Sequence, residues 1–315
     1  MTPFRQIPFD RLPESPRIPH PWASTTRHTE LVPSDAMGPV PTTWYTYGQG
    51  EPLLLIHGLM TSAWSWRYAL EPLGARHRLV IPDLPGSGAS GKPDRSYHPD
   101  RLADWIGAFA AHVGIRGANT VGNSLGGYLC LRLALRDPGA IGRLVDLHSP
   151  GIPLLRLWAL HAAMRQPLAE PILSRLIGRD PERWAHRMTH YYDESLKSRE
   201  EARVWAEPLR DPAGVHAFAR ILRETLDPRE FARFCRTLAD RRDRGEPFPV
   251  PLLLLYATRD PMVPASVGVE LGGLIPSAEL AWLDRASHFA HVDAVDRFAP
   301  IVDRFLTVAE PARGW

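Results

Sequence analysis

Two cysteines in 315 residues, Cys130 and Cys235, are too few for a disulfide framework, and neither belongs to a Cys-x-x-Cys or Cys/His cluster that would hold zinc. Both read as small core residues. Lysine is almost missing, with Lys92 and Lys197 the only two, so arginine carries the positive charge. The arginines are interspersed with acids and the formal net charge is +2, which argues against a nucleic-acid platform. No run approaches the roughly 20 apolar residues of a membrane-spanning helix. The longest candidate, Pro153 to Met164, is interrupted by Arg156 and His161. Proline and charge also break the N-terminal stretch before any signal-like apolar segment forms. A soluble cytoplasmic protein is therefore expected. With 44% hydrophobic and 23% charged residues the chain is of ordinary globular composition, and its length suits one α/β domain carrying an insertion.

Residues 1–26 are rich in proline and polar groups, lack apolar periodicity, and read as an extended arm over the surface. Thr29 to Val32 and Thr42 to Tyr47 then have strand character. Pro52 to Ile56 and His77 to Ile81 are apolar runs that suit strands buried on both faces. Arg101 to Val113 spaces Leu102, Trp105, Ile106, Phe109 and Val113 as one face of a helix. Asn119 to Gly122 predicts a strand and Leu125 to Leu135 a helix. From residue 150 to 249 strand signals vanish in favour of helical stretches. They resume with strands at Leu252 to Tyr256 and Glu279 to Leu283 and a last helix over Phe289 to Val308. Strand and helix in alternation predict a mostly parallel central sheet flanked by helices, built from residues 27–149 and 250–315, with a helical insertion at 150–249.

The chemistry starts at Gly122-Asn123-Ser124-Leu125-Gly126, a G-x-S-x-G between a predicted strand and a predicted helix. A sharp turn there strains the serine backbone, and the glycines let neighbouring backbone approach without side-chain collision. The Ser124 hydroxyl then sits at a helix N-terminus, where the Leu125 N–H can stabilise a developing oxyanion. Serine is a weak nucleophile near neutrality, so it needs a base in reach and an acid to orient that base. Asp260 follows the strand Leu252 to Tyr256, and His288 follows Glu279 to Leu283 after a short loop. Both are expected at the C-terminal edge of the sheet, in the chain order Ser, Asp, His. Asp146 lies within Leu144-Val-Asp-Leu rather than after it, and His291 sits one turn into the last helix; both are weaker candidates. His57-Gly58-Leu59-Met60 follows the first strong strand, so the Leu59 N–H is the expected second oxyanion donor, with His57 fixing the loop through its ring nitrogens. The turn at Asp83-Leu-Pro-Gly-Ser-Gly lacks the Gly-Lys-Ser/Thr of a phosphate loop and is read as structural.

Together these segments resemble the α/β-hydrolase superfamily in its cap-bearing branch, from about Thr42 to Val308. His57-Gly58, Asp83-Leu-Pro-Gly-Ser-Gly-Ala-Ser, the Ser124 elbow, Asp260-Pro-Met-Val-Pro and Ser287-His288-Phe289 occur in that family's order. The resemblance implies the α/β-hydrolase fold with residues 150–249 as a helical cap. Gly-Asn-Ser-Leu-Gly-Gly is similar to the elbows of carbon–carbon bond hydrolases of ring-cleavage products and of many esterases. Thr2-Pro3, Phe9 to Leu12, Pro19-His20 and Trp64-Ser-Trp-Arg67 faintly resemble haloalkane dehalogenases. Those enzymes, like the epoxide hydrolases of this fold, use an aspartate nucleophile, whereas attack by Ser124 on an alkyl halide would leave a stable ether. Leu125 also stands where the dehalogenases carry the tryptophan that assists halide release.

Hydrolysis of a small-molecule ester or related acyl bond is the first reading. Carbon–carbon hydrolysis of a vinylogous diketone is the second, with Arg156, Arg165 or Arg187 as candidate carboxylate ligands. A non-catalytic ligand receptor is the third, disfavoured because a receptor needs no nucleophile, base and acid together. No metal or organic cofactor is expected. Trp158, Trp184, Tyr191 and Trp205 are candidates either to line a pocket or to fill the core of the insertion. The sequence carries no mark of oligomeric state.

Overall fold

A computed structural model describes residues 3–307; the expectations at Thr2 and Val308 lie outside them. The strands are β1 (Thr26–Val32), β2 (Val40–Tyr47), β3 (Glu51–Ile56), β4 (His77–Pro82), β5 (Asn119–Asn123), β6 (Leu144–Leu147), β7 (Leu252–Ala257) and β8 (Glu279–Leu283). They form one sheet in the order β1-β2-β4-β3-β5-β6-β7-β8. β1 and β2 pair antiparallel with each other, β2 pairs antiparallel with β4, and every other pairing is parallel. Side chains alternate across a strand, so the unbroken leucine runs cover both faces of the sheet. Leu54 and Ile56 pack into the core on one face, while Leu53 and Leu55 pack with Trp66, Leu79 and Phe298 on the other.

The helices are α1 (Leu70–Gly74), α2 (Pro99–His112), α3 (Leu125–Arg136), α4 (Leu155–Met164), α5 (Ala169–Arg179), α6 (Pro181–Met188), α7 (Arg199–Ala206), α8 (Pro212–Thr225), α9 (Pro228–Asp243), α10 (Ala265–Leu274), α11 (Ala290–Asp293) and α12 (Val295–Thr307). α2 buries Leu102, Trp105, Ile106 and Phe109, the face its spacing defines. Six helices, α4 to α9, separate β6 from β7. A buried pair ties them to the rest of the fold: Arg67 Nη2 lies 2.5 Å from Glu201 Oε2 on α7, and Tyr191 OH donates to the same oxygen at 2.7 Å. The Arg67 guanidinium stacks over the ring of Trp64 at 3.7 Å.

The continuous last helix expected from Phe289 is instead divided into α11 and α12. The break falls at Ala294, with φ of −141°. Asp293 explains it, because its carboxylate accepts from Tyr192 N–H at 2.7 Å and Ser287 N–H at 3.2 Å, closing the segment into a turn.

From residue 5 to residue 25 the arm is extended apart from short 3-10 turns at Phe9–Arg11 and Pro21–Ser24. Its partners are specific. The Phe9 ring carries the guanidinium of Arg199 at 3.8 Å and that of Arg183 at 4.9 Å, and Gln6 Nε2 donates to His186 O at 2.9 Å. Further along, Ile18 O accepts from Tyr68 OH at 2.9 Å and Trp22 packs on Tyr45. The arm thus bridges the helical insertion to the sheet.

Candidate active site

The order of the sheet puts β3 between β4 and β5, so the chain leaves β3 on one side and returns on the other. Such a reversal opens a crevice beyond the C-terminal ends of the strands. Ile56 of β3 pairs with Gly122 of β5, which brings the His57-Gly58-Leu59 loop alongside the turn at Ser124. A Cβ on Gly58 would lie 3.1 Å from both Asn123 Oδ1 and Ser124 Cβ. One on Gly126 would lie 2.5 Å from Ile56 O, so only hydrogen fits where α3 meets β3.

Ser124 adopts φ of 54° and ψ of −119°, a left-handed backbone that costs a non-glycine residue on the order of 1–3 kcal/mol. Its own N–H donates to Leu147 O at 2.7 Å, pinning the turn to β6. Leu125 is the first residue of α3, where backbone N–H groups have no intrahelical acceptor. Among the described residues neither the Leu125 nor the Leu59 N–H has a protein hydrogen-bond partner. His57 donates from Nδ1 to Gly58 O at 2.8 Å, because its Nε2 accepts from Leu84 N–H at 3.0 Å. Burial lowers its pKa to about 4, so it stays neutral and serves as a loop brace.

His288 and Asp260 meet from adjacent strands. Nδ1 of His288 lies 2.6 Å from Asp260 Oδ2, and Asp260 Oδ1 accepts from Met262 N–H at 2.6 Å and Val263 N–H at 2.9 Å. Burial would raise the Asp260 carboxyl, but the charge and hydrogen bond of His288, with help from Val263 N–H, hold it below its ordinary value. His291, by contrast, is buried against Trp66 with neither ring nitrogen hydrogen-bonded among the described residues, and burial first of all holds its pKa well below the usual value.

Two further residues belong to this arrangement, and sequence reasoning missed both. Asn123 Nδ2 donates to His288 O at 3.1 Å, fastening the histidine loop to the serine turn; its place beside Ser124 in G-x-S-x-G was the available signal. His148, directly after β6, also has positive φ (60°) and is fully buried. Its Nε2 accepts from Ala257 N–H at 2.8 Å, so the proton of the neutral ring sits on Nδ1. Burial depresses its pKa to about 3. One ring nitrogen of each histidine and an Asp260 oxygen lie within 4.8 Å of one another, the spacing of a possible metal triad. The hydrogen bonds just described already engage both Asp260 oxygens, Nδ1 of His288 and Nε2 of His148.

Asp146 turns away from His288. Its Oδ2 accepts from Ser149 Oγ at 2.8 Å and Tyr256 OH at 3.2 Å, and a Cβ on Gly127 would come within 2.1 Å of its Oδ1. Burial raises its pKa to about 7, against the pull of those two hydroxyls. Between about pH 4 and 7 the folded chain keeps a proton that the unfolded chain releases, so this group makes stability fall as pH rises. Asp146→Asn removes the titration. Its stability relative to the parent should improve by on the order of 3 kcal/mol from pH 4 to pH 8 in denaturant unfolding. A stability difference independent of pH would refute the assignment.

A cavity of about 440 Å³ opens over the turn, lined by Ser124, His288, Leu59 and Leu125. Its walls are mostly apolar, with Leu157, Leu160, Met164, Leu173, Trp184 and Phe218 from the helical insertion, and among the described residues Arg156 is the one arginine, lysine or carboxylate that lines it. Of the aromatic candidates only Trp184 reaches it. Trp158 lies on the outer surface, while Tyr191 and Trp205 pack against Phe289 beneath the insertion. Arg165 borders a separate surface hollow with Asp227 and Glu230, and Arg187 is exposed on α6.

A central sheet with a strained serine at its C-terminal edge and a histidine–carboxylate pair beside it defines a hydrolase scaffold. Residues 51–295 match the model of the alpha/beta hydrolase fold family, and the chain belongs to that family. It is 28% identical over 277 residues to a 2-hydroxymuconate semialdehyde hydrolase of Pseudomonas putida, covering 85% of this chain and 92% of that one. It is 26% identical over 270 residues to the pimeloyl-[acyl-carrier protein] methyl ester esterase of Vibrio cholerae, covering 84% and 97% respectively. Among solved structures it resembles a meta-cleavage product hydrolase from Pseudomonas fluorescens, at a TM-score of 0.67 and 25% identity over 89% of this chain and 97% of that one. The protein is a hydrolase. Among the described residues no helix is long and apolar enough to cross a membrane.

Proposed function

We propose that the protein is a cytoplasmic serine hydrolase of small apolar esters, with Ser124 as nucleophile, His288 as general base and Asp260 as the acid that orients it. The observation that carries this reading is the 2.6 Å contact of His288 with Asp260 beside a cavity that Ser124 and His288 both line. Ser124 Oγ attacks the substrate carbonyl carbon as its proton passes to His288 Nε2, and the new oxyanion is met by the N–H groups of Leu59 and Leu125. His288 returns the proton to the leaving alcohol. Water, activated by the same imidazole, then releases the acid and frees Ser124. Residues 150–249 act as a cap that selects the substrate while the reacting groups lie outside it.

Arg156 favours a second reading, hydrolysis of a carbon–carbon bond in a substrate that carries a carboxylate. It is the one cation on an otherwise apolar wall, and two of the similar proteins are hydrolases of semialdehyde or meta-cleavage products by name. A panel of p-nitrophenyl esters of graded chain length, run beside a carboxylate-bearing vinylogous diketone, separates the two. If the ester reading holds, Arg156→Met leaves ester kcat/KM within about threefold. If the carboxylate is recognised, the same change raises KM for the diketone by about 10- to 100-fold, the loss of one charged hydrogen bond. No turnover of either class by folded protein would overturn both.

A further inference from the structure

The cap roof is apolar on two surfaces. The inner sides of α4 and α5 supply Leu157, Leu160, Met164 and Leu173 to the cavity, so the opposite sides face outward. That outward surface is apolar as well. Leu168, the N-cap of α5, and Ile172 and Leu176 on it recur every four residues with Arg175 and Arg179 on the same side, all within about 100° of the helix circumference. Ile172 is 56% exposed and Leu176 50%, and on α4 Leu155 is 86% and Trp158 42% exposed. Large apolar side chains exposed together along one helix face are unusual on a monomer and mark an interaction surface.

The charge on this surface identifies the occupant. The α5 stripe carries Arg175 and Arg179 and no acid, and Glu170, the one acid of residues 154–179, is engaged by His216 Nδ1 at 2.5 Å. Among the described residues Arg175 and Arg179 have no carboxylate partner, and Arg156, at the cavity mouth, reaches only Pro261 O. A second copy of the same face would set these cations against one another. An anionic lipid surface accepts both components: acyl chains take the leucines, isoleucine and tryptophan, and headgroup phosphates take the guanidinium groups. Arg156, Met188 and Met262 line the cavity and are also exposed, so the cavity reaches solvent beside Leu155, at the edge of this face.

We propose that the outer face of α4 and α5 docks the protein peripherally on an anionic membrane, with the mouth of the cavity turned toward the lipid. The proposal stands on the surface and does not depend on the catalytic assignment, so its test reads binding. The full chain is sedimented with vesicles of phosphatidylcholine alone and of phosphatidylcholine with an equal part of phosphatidylglycerol, and its mass in solution is followed by light scattering. Binding is expected to the anionic vesicles, weakening as salt is raised. Arg175→Gln with Arg179→Gln should weaken it about 30-fold, at about 1 kcal/mol for each basic residue at the lipid surface. Ile172→Glu with Leu176→Glu should abolish it. None of these four side chains lines the cavity, so both double variants should keep the parent's melting temperature and its turnover of a soluble ester. Sedimentation with neither vesicle, equal sedimentation with both, or binding untouched by the variants overturns the proposal. So does a concentration-dependent dimer that Ile172→Glu with Leu176→Glu dissolves, since the face would then serve a second copy.

Discussion

Ser124→Ala is expected to lower kcat by about 10⁶-fold, the scale on which a triad serine is missed, while the protein still folds. The substitution removes one hydroxyl at a half-buried position and keeps the Cβ, so the left-handed backbone at φ of 54° is neither relieved nor worsened. The N–H bond to Leu147 O also survives, because it uses backbone alone. Stability should therefore stay within about 1 kcal/mol, the range of changes that disturb neither packing nor buried polar groups. Labelling by a fluorophosphonate, followed by peptide mapping, gives the direct check. Labelling at another serine, or substantial turnover by the folded variant, would remove Ser124 from the mechanism.

Asp260→Asn should cost about 10⁴-fold in kcat, because the amide can present its N–H to His288 and leave the imidazole in the wrong tautomer. Both Asp260 oxygens now accept hydrogen bonds, from Met262 and Val263 on one and from His288 on the other. An amide satisfies only one of those sets without rearrangement. The loss should be nearly complete in kcat and modest in KM, since Asp260 is absent from the cavity lining. Asp146→Asn serves as the internal comparison: its carboxylate faces Ser149 and Tyr256, so activity should persist. Full activity in Asp260→Asn together with loss in Asp146→Asn would exchange the roles of the two acids. Stability reports on Asp260 as well. Its folded pKa is depressed, so its contribution is present above the ordinary carboxylate range and disappears as pH falls through the lowered value.

The sheet core and the sharp serine turn were readable without coordinates because they depend on short-range rules. Leu252 to Tyr256 is a short unbroken apolar run between prolines and a turn, the pattern of a strand buried on both faces, and glycines two residues on either side of Ser124 permit the close approach of Ile56 O to Gly126. Chain order alone brought Asp260 and His288 to the ends of consecutive strands. The break at Ala294 escaped because it depends on Asp293 reaching Tyr192, 101 positions earlier. His148 escaped for a related reason: its ring is oriented by Ala257 N–H from a neighbouring strand, and no local pattern encodes that contact.

Periodicity and turn chemistry therefore determined seven of the eight strands, all but β6 with its charged Asp146, and which serine sits at a strained turn. Tertiary packing decided what surrounds that serine. Trp158, Trp184, Tyr191 and Trp205 are alike in sequence, yet one faces the outside, one the cavity and two the packed base of the insertion. Arg156, Arg165 and Arg187 are likewise equivalent until the helices are docked, and then Arg156 alone lies on the cavity wall. A helix's spacing states which residues share a face, but the direction of that face is set by contacts with residues far away along the chain.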